Sequence, residues 1–381
     1  MRKRVLTAAS RQINQQGAAA IDLKELGQQV GLSRNSLYHY FDNRQDLAYQ
    51  CYLQSARNIQ EDLESAFEDH DQAPQRMTDF LHKALVCRTD EQPALSDLEN
   101  LTTTQRRSVL RVRNSNLAAM EVLFADGVKR GDLRTHRTEI SARSLYAMVD
   151  WARLWHRWTE QVNTKKARQL RQISTGIACG LLGGIASKKY DIKEQRLTLQ
   201  DVIVNEIDLF DSSSVREHKR LQIIGATSRI FNRKGIFGTS IDDVTTELGA
   251  TKGTIYHYFN DKDQLVLACR QRAIDLYELF LEAGERCGKG TVQSMITSLH
   301  LNCLAQASSS PPLILQATLP SREMIRTTSL SRRVKRNITT AIRRGECRPE
   351  SKLLVDLAPG AFFWFQKWIA ENKCAAIGNI A

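Results

Sequence analysis

Proline is scarce in this chain: seven occur in 381 residues, and none falls between positions 94 and 310. A fold made of many short strands and tight turns would use more. Long apolar runs are absent too. No stretch approaches the ~20 residues of a membrane-spanning helix, and the mean hydropathy is −0.39. The opening MRKRVLTAASRQINQQG is basic but lacks the roughly 7–15-residue apolar core of a secretory leader. A cytoplasmic protein with no membrane partner is the expectation. The eight cysteines stand singly, with no CxxC pair. Spacing therefore encodes neither a zinc site nor a redox dithiol, and no metal or cofactor is expected. Gly-rich phosphate loops and nucleophile motifs are missing as well, so an enzyme is not expected.

What is present is an ordinary globular balance, 42% apolar and 25% charged, enough for a core and against disorder. Lys and Arg number 54 against 42 Asp and Glu, a formal net charge of +12. That excess points to an acidic partner, nucleic acid before a membrane surface. Apolar residues recur at three- and four-residue intervals, as in Leu145, Met148, Val149, Trp151, Ala152 and Trp155. This is helical periodicity, with no convincing alternation of strand type. The fold class expected is all-α.

An internal repeat sets the organisation. Shifted by 218 residues, Ala8–Cys51 lies on Ala226–Cys269 without a gap, with twelve identities in 44 positions. They are Ala8, Ser10, Arg11, Asn14, Gly17, Gly31, Tyr38, His39, Tyr40, Phe41, Leu47 and Cys51. A weaker echo pairs Arg130-Gly131-Asp132-Leu133-Arg134 with Arg344-Gly345-Glu346-Cys347-Arg348, each followed by a WxxxW pair. The chain reads as a tandem duplication of a helical plan. Its expected parts are a head at 1–50, a helical body at 51–204 and an acidic, Ser-rich linker at 205–214. A second head at 215–268 and a shortened body at 269–381 follow.

Each head reads as three short helices closed by a fourth. In the first, helix one runs over about residues 3–16 to Gly17, a glycine suited to a left-handed C-cap. Asp22 is the expected N-cap of helix two, which buries Leu23, Leu26 and Val30. Gly31-Leu32-Ser33 turns the chain, Ser33 caps helix three over 34–40, and Asp42-Asn43 opens helix four. The second copy repeats the plan with Gly235, Ser240, Gly249-Ala250-Thr251 and Asn260-Asp261. Two helices joined by a short Gly-containing turn form the helix-turn-helix pattern, whose second helix enters the major groove of double-stranded DNA. The leading positions of that helix are Ser33, Arg34, Asn35, Ser36 and Thr251, Lys252, Gly253, Thr254. Arg reads guanine bidentately and Asn reads adenine.

The run Gly-x3-Thr-x4-Val-x4-Gly-x-Thr-x-Gly-Thr-Ile-Tyr-x-Tyr-Phe-x-x-Lys-x-x-Leu, from Gly235 to Leu265, resembles the DNA-binding signature of the TetR family of transcription regulators. The resemblance covers about 50 residues in each half. It implies phosphate contacts by Tyr38 and Tyr40, Tyr256 and Tyr258, and by the basic residue opening helix four, Arg44 and Lys262. A cation at a helix N-terminus suits an anion. The first copy departs from the signature at Ile21 and Asn35, where the second has Thr239 and Gly253. Asn35 either adds a base contact or blocks approach. Phe41 and Phe259 read as core, and His39 and His257 are candidates to join them there.

The resemblance further implies a regulatory body with a small-molecule effector of unknown identity and a dimerisation surface. Trp151, Trp155 and Trp158, and Phe362, Phe363, Trp364, Phe365 and Trp368, are aromatic clusters at helical spacing, which are more often core than ligand box. A last helix is expected over 165–187, with no counterpart after Trp368. The two halves could pair within the chain as a pseudo-dimer, or whole chains could form a homodimer. The function expected is a ligand-responsive repressor with two non-identical DNA-binding heads. The alternative is a ligand-sensing or protein–protein antagonist in which one or both heads no longer bind DNA. Charge is a weak guide to the choice: residues 1–50 carry net +3 and 219–268 net +2, whereas 322–348 hold nine basic and two acidic side chains. That basic stretch reads as solvated helix faces with aliphatic stems packed on the body, or as an additional anionic-partner surface.

Overall fold

A computed structural model describes residues 1–87, 92–132, 137–154, 197–203, 208–287, 290–314, 321–349 and 351, with backbone alone for 321–328. The described residues form helices and turns with no β-strand, as an all-α reading requires. None of their helices is long and apolar enough to cross a membrane. Trp155, Trp158, the 165–187 segment and the aromatic run 362–368 lie outside the described residues.

The chain divides into two compact units, built mainly on Met1–Ile185 and on Ala186–Leu315 with Leu319–Cys347. In the first, α1 (Arg2–Gln16), α2 (Leu23–Val30), α3 (Arg34–Leu37) and the start of α4 (Arg44–Asp69) make the head. The rest of α4, with α5 (Ala73–His82), α6 (Thr103–Lys129) and α7 (Thr138–Leu154), makes the body. The second unit repeats this with α8 (Ser212–Lys234), α9 (Ile241–Leu248), α10 (Lys252–Tyr258) and α11 (Lys262–Cys287). Its described body helices are α12 (Thr291–Ala307) and α13 (Ser321–Arg343).

The repeat reaches further than the identities do. Helices α2, α3, α4, α5 and α6 each start 218 residues before α9, α10, α11, α12 and α13. Register is lost only inside the last pair, where α13 is four residues shorter than α6. The RGxxR echo marks that same point in both halves. Gly131 and Gly345 take φ of 79° and 72° just past the two helices, and the amides after them bond back to Gly127 and Ala341. These bonds satisfy carbonyls that the helix ends would leave orphaned.

Each head closes on a small apolar core. Val5, Ile13, Leu23, Leu26, Val30, Leu37, Phe41 and Leu47 are buried in the first, and Ile223, Phe231, Val244, Ile255, Phe259 and Leu265 in the second. Ile21 is buried as well, as is Thr239, whose hydroxyl donates to the Gly235 carbonyl at 2.8 Å, a bond that Ile21 replaces with apolar packing. Cys51 and Cys269 occupy matched sites, and each thiol donates to a carbonyl on the head's first helix, Leu6 or Ile224, at 3.6 Å. Burial pushes both thiols up to about 12, which leaves them protonated and inert.

Three local readings change. Gly17 has φ 88° but ψ 163°, an extended glycine-only region rather than the left-handed cap, because the chain runs on into a 3-10 turn at Ala18–Ala20. The last three residues of the linker are already helical, since Asp211 caps α8 through the amides of Ser213 and Ser214. Ahead of the linker, Leu197, Leu199, Val202 and Ile203 pack against Leu276, Phe280 and Leu301 of the second unit.

Candidate nucleic-acid interface

The turn between helices two and three is built alike in both heads. Asp22 accepts from the amides of Lys24 and Glu25, and those bonds hold its carboxyl below the usual range. Ser240 accepts from the Asp243 amide while the Asp243 carboxylate accepts from the Ser240 amide, a reciprocal capping box. Helix two then ends at a left-handed glycine, Gly31 or Gly249, with φ 74° or 60°. A side chain in that backbone region is strained, and glycine removes the cost.

The recognition helix is capped by a hydroxyl. Ser33 accepts from the Ser36 amide at 3.1 Å and shares a bond with its hydroxyl at 2.8 Å. Thr251 does the same with Thr254, at 3.2 and 3.0 Å. These four hydroxyls thus spend much of their bonding capacity on the cap, whereas Arg34, Asn35 and Lys252 beside them keep their polar ends outside it. All three are exposed, as is Gly253. In the first head, α3 ends at Leu37, and Tyr38, His39 and Tyr40 follow in turns closed by bonds to residues 35, 36 and 37. In the second, α10 stays helical through Tyr258. The expected 34–40 helix is therefore shorter in the first copy, where bonding tightens to the i→i+3 pattern at the helix end.

Tyr38 is 41% exposed and Tyr256 48%. Tyr40 and Tyr258 are half-buried, and Tyr258 packs on its head's core. His39 and His257 are exposed, which corrects their assignment to the core. One residue after the exposed tyrosine, a side chain on a short helix lies about 100° further round and away from the packed face of Leu37 or Ile255. Each head therefore offers a Tyr-His pair to solvent, and the histidine is the candidate that reading the sequence missed.

Arg44 opens α4, is exposed, and donates to the Ala19 carbonyl at 3.3 Å. Lys262 opens α11 and is half-buried; desolvation pushes its ammonium down from the ordinary value. A cation held at a helix N-terminus is disfavoured by the helix dipole, so an incoming phosphate is the natural counter-charge at both sites.

The heads are tied to their bodies by one repeated device. Asn14 Nδ2 donates to the Gln92 carbonyl and its Oδ1 accepts from the Ala94 amide, both at 2.9 Å. Asn232, its counterpart, grips the Pro312 carbonyl and the Ile314 amide at 2.9 and 2.8 Å. In the first unit the gripped loop is held from the body side too. Ser55 donates to the Pro93 carbonyl, and the fully buried Arg153 donates to Gln92 Oε1 at 2.8 Å and to Ser55 at 3.0 Å. Arg153 also pairs with buried Asp150 at 3.1 Å. In the second unit Arg272 donates to the carbonyls of Ser310 and Pro311, and Tyr277 to that of Leu313.

Each head is thus a capped helix-turn-helix unit with a solvent-facing second helix and a basic residue at the next helix start. The family model described as bacterial regulatory proteins, tetR family, matches residues 5–51 and again 223–269, the same 218-residue repeat. Each half of the chain thus holds one segment that matches this family model. It is 36% identical over 62 residues to the transcriptional regulator HbdR of Aromatoleum sp. (strain CIB), covering 16% of this chain and 27% of that one. With the regulator SrpR of Pseudomonas putida it shares 32% over 88 residues, 22% of this chain and 41% of that one. These stretches span less than half of either relative. Among solved structures, the TetR family regulator PfmR of Thermus thermophilus aligns at 17% identity and TM-score 0.38, over 48% of this chain and 95% of its own.

Proposed function

We propose that the chain is a cytoplasmic, sequence-specific DNA-binding transcription regulator whose heads, residues 1–50 and 215–268, both engage double-stranded DNA. The observation that carries this reading is the same solvent-facing set in both heads. A hydroxyl-capped recognition helix presents Arg34 or Lys252, an exposed Tyr-His pair follows, and a cation opens the next helix. Arg34, Asn35 and Lys252 meet base edges; Tyr38, Tyr40, Tyr256, Tyr258, Arg44 and Lys262 hold phosphates; and Ser33, Ser36, Thr251 and Thr254 position the helix. Gly253 lies in open space, where an added Cβ would meet only its own cap hydroxyl at 3.7 Å. Packing does not demand a glycine there, so Asn35 stands at the matching position without cost to the fold, and the base contact is the reading taken for it over a blocked approach to DNA.

Regulation by a small-molecule effector, and pairing of halves or of whole chains, complete the proposal. The loop gripped by Asn14 is the same loop that Arg153 and Ser55 hold in the body. An effector that rearranged the buried Arg153 cluster would be felt at the head through that loop. Genome-wide footprinting tests the central claim, using wild type, Tyr38→Ala/Arg44→Ala and Tyr256→Ala/Lys262→Ala proteins. Loss of footprints in both variants is the expected result. Normal footprints in one variant would show that its head is idle.

A further inference from the structure

The heads are close in net charge but pair their cations differently, and the difference centres on the second residue of helix two. Position 24 is Lys in the first head; its counterpart, 242, is Asp. Asp242 Oδ1 lies 2.9 Å from Lys252 Nζ, so the cation leading the second recognition helix is already paired within its own head. Both side chains are more than half exposed, which places a carboxylate on the surface that presents Lys252. In the first head Arg34 takes the place of Lys252, and the residue aligned with Asp242 is Lys24, a like charge. Among the described residues Arg34 has no carboxylate partner, and both it and Lys24 are exposed.

The same contrast continues along helices one and two. In the second head Lys234 pairs with Asp243 at 2.6 Å, and Arg229 and Arg233 pair with Glu247 at 2.8 and 3.3 Å. The aligned residues in the first head are Gln16 and Glu25, and Arg11 and Gln15 with Gln29, sets that offer a single cation and a single carboxylate. The second head spends four cations internally, and the first leaves its recognition-helix cation open.

We propose that residue 242, against residue 24, sets the two heads apart as DNA binders: the first is the electrostatic anchor, and Asp242 holds the second in a weaker, more sequence-dependent mode. The proposal rests on both heads binding DNA. Phosphates draw an unpaired cation and release counterions from it, and that exchange dominates non-specific affinity. Lys252 must first leave Asp242, and the carboxylate left behind repels the same phosphates. Encounter with arbitrary duplex therefore falls to Arg34 and Lys24. The second head closes only where base contacts compensate for the broken pair.

The test uses the full-length chain and a mixed-sequence 30-base-pair duplex, with affinity read across a salt series. In a Lys24→Ala/Arg34→Ala/Tyr38→Ala/Arg44→Ala background, which removes the first head's exposed cations and leaves the second head to bind, Asp242→Lys and Asp242→Asn are compared with Asp242. We expect Asp242→Lys to tighten binding by roughly three- to tenfold and to steepen the log–log salt slope by about one, as one added phosphate contact does. Asp242→Asn, which frees Lys252 without adding charge, falls between. In the Tyr256→Ala/Lys262→Ala background, Lys24→Asp should weaken binding and flatten the slope by a similar amount. Lys262 apart, the exchanged side chains are exposed, and circular dichroism melts confirm that each variant is folded. Unchanged affinity and slope on Asp242 substitution would overturn the proposal, provided Tyr256→Ala/Lys262→Ala still weakens the otherwise wild-type protein. If that double variant binds like wild type and Asp242→Lys gains nothing, the two-head reading itself fails, and this inference with it.

Discussion

Asp243 shows how one side chain can serve two elements. It closes the capping box at the start of α9 and pairs with Lys234 on α8. Lys234 is the largest influence holding its carboxyl down, followed by the Ser240 hydroxyl and amide, from the ordinary 3.8 to about 2. A carboxyl depressed in the folded chain lends stability that is complete above its unfolded value and is lost as pH falls toward the folded one. Asp243→Asn should therefore lower the denaturant midpoint of the protein at neutral pH. The gap between variant and wild type should close over the interval from about 4 down to about 2. Urea unfolding at several pH values, read by circular dichroism, measures that gap. A gap that stays constant with pH would mean the carboxylate charge is not what stabilises the site. The aligned residue in the first head, Glu25, bonds Gln29 instead of a cation, so no comparable acid-labile tie joins α1 to α2 there.

At the scale of elements, the repeated asparagine clamp joins head to body. Its amide satisfies both a carbonyl and an N–H of a loop about eighty residues away, a grip that only Asn or Gln can make with one planar group. Asn14→Ala leaves the Gln92 carbonyl and Ala94 amide without this partner, a loss of about 1–3 kcal/mol for buried backbone groups. Hydrogen exchange should rise at the Ala94 amide, and Asn14→Asp, which keeps the acceptor, should protect that amide better than Asn14→Ala. Exchange in Asn14→Ala no faster than in the wild-type chain would show that the clamp does not hold the loop. This clamp also marks the limit of what the chain's order discloses. Helix caps such as Asp22, Ser33, Ser240 and Thr251 were legible because cap and recipient lie within three residues. Asn14 was visible as an identity between the repeats, yet its partners are set by tertiary packing. Asp150 and Arg153 could be seen three residues apart, but their complete burial depends on α4 and the Gln92 loop arriving around them. His39 and His257 were misplaced for a similar reason: a histidine between two tyrosines carries no local sign of which face it takes.

At the scale of the whole molecule, the duplication places two unlike readers on one covalent chain. A homodimer of single-headed chains presents identical recognition helices, so its preferred site mirrors the protein's two-fold symmetry. Here one head leads with Arg34-Asn35 and the other with Lys252-Gly253. Arg–guanine and Asn–adenine pairings have no counterpart at a glycine. One chain using both heads should therefore select a bipartite site whose halves differ. The difference should lie at the base pairs facing residues 34 and 35, each worth about 1–3 kcal/mol of discrimination. Replacing Ser33→Thr, Arg34→Lys, Asn35→Gly and Ser36→Thr together gives both heads the same leading residues. Both caps use the same hydroxyl geometry, Ser33 to Ser36 and Thr251 to Thr254, so the exchange should leave the helix start intact. Selection from randomised duplexes should then return a site with matching halves, where the natural chain returns unlike ones. Chain stoichiometry on the selected DNA, measured by sedimentation, separates two heads of one chain from one head on each of two chains. If the fourfold exchange leaves the selected sequence unaltered, residues 33–36 do not read the DNA. If the natural chain already selects a perfect palindrome bound by two copies, only one head per chain is in use, and the second half of the duplication has taken another role.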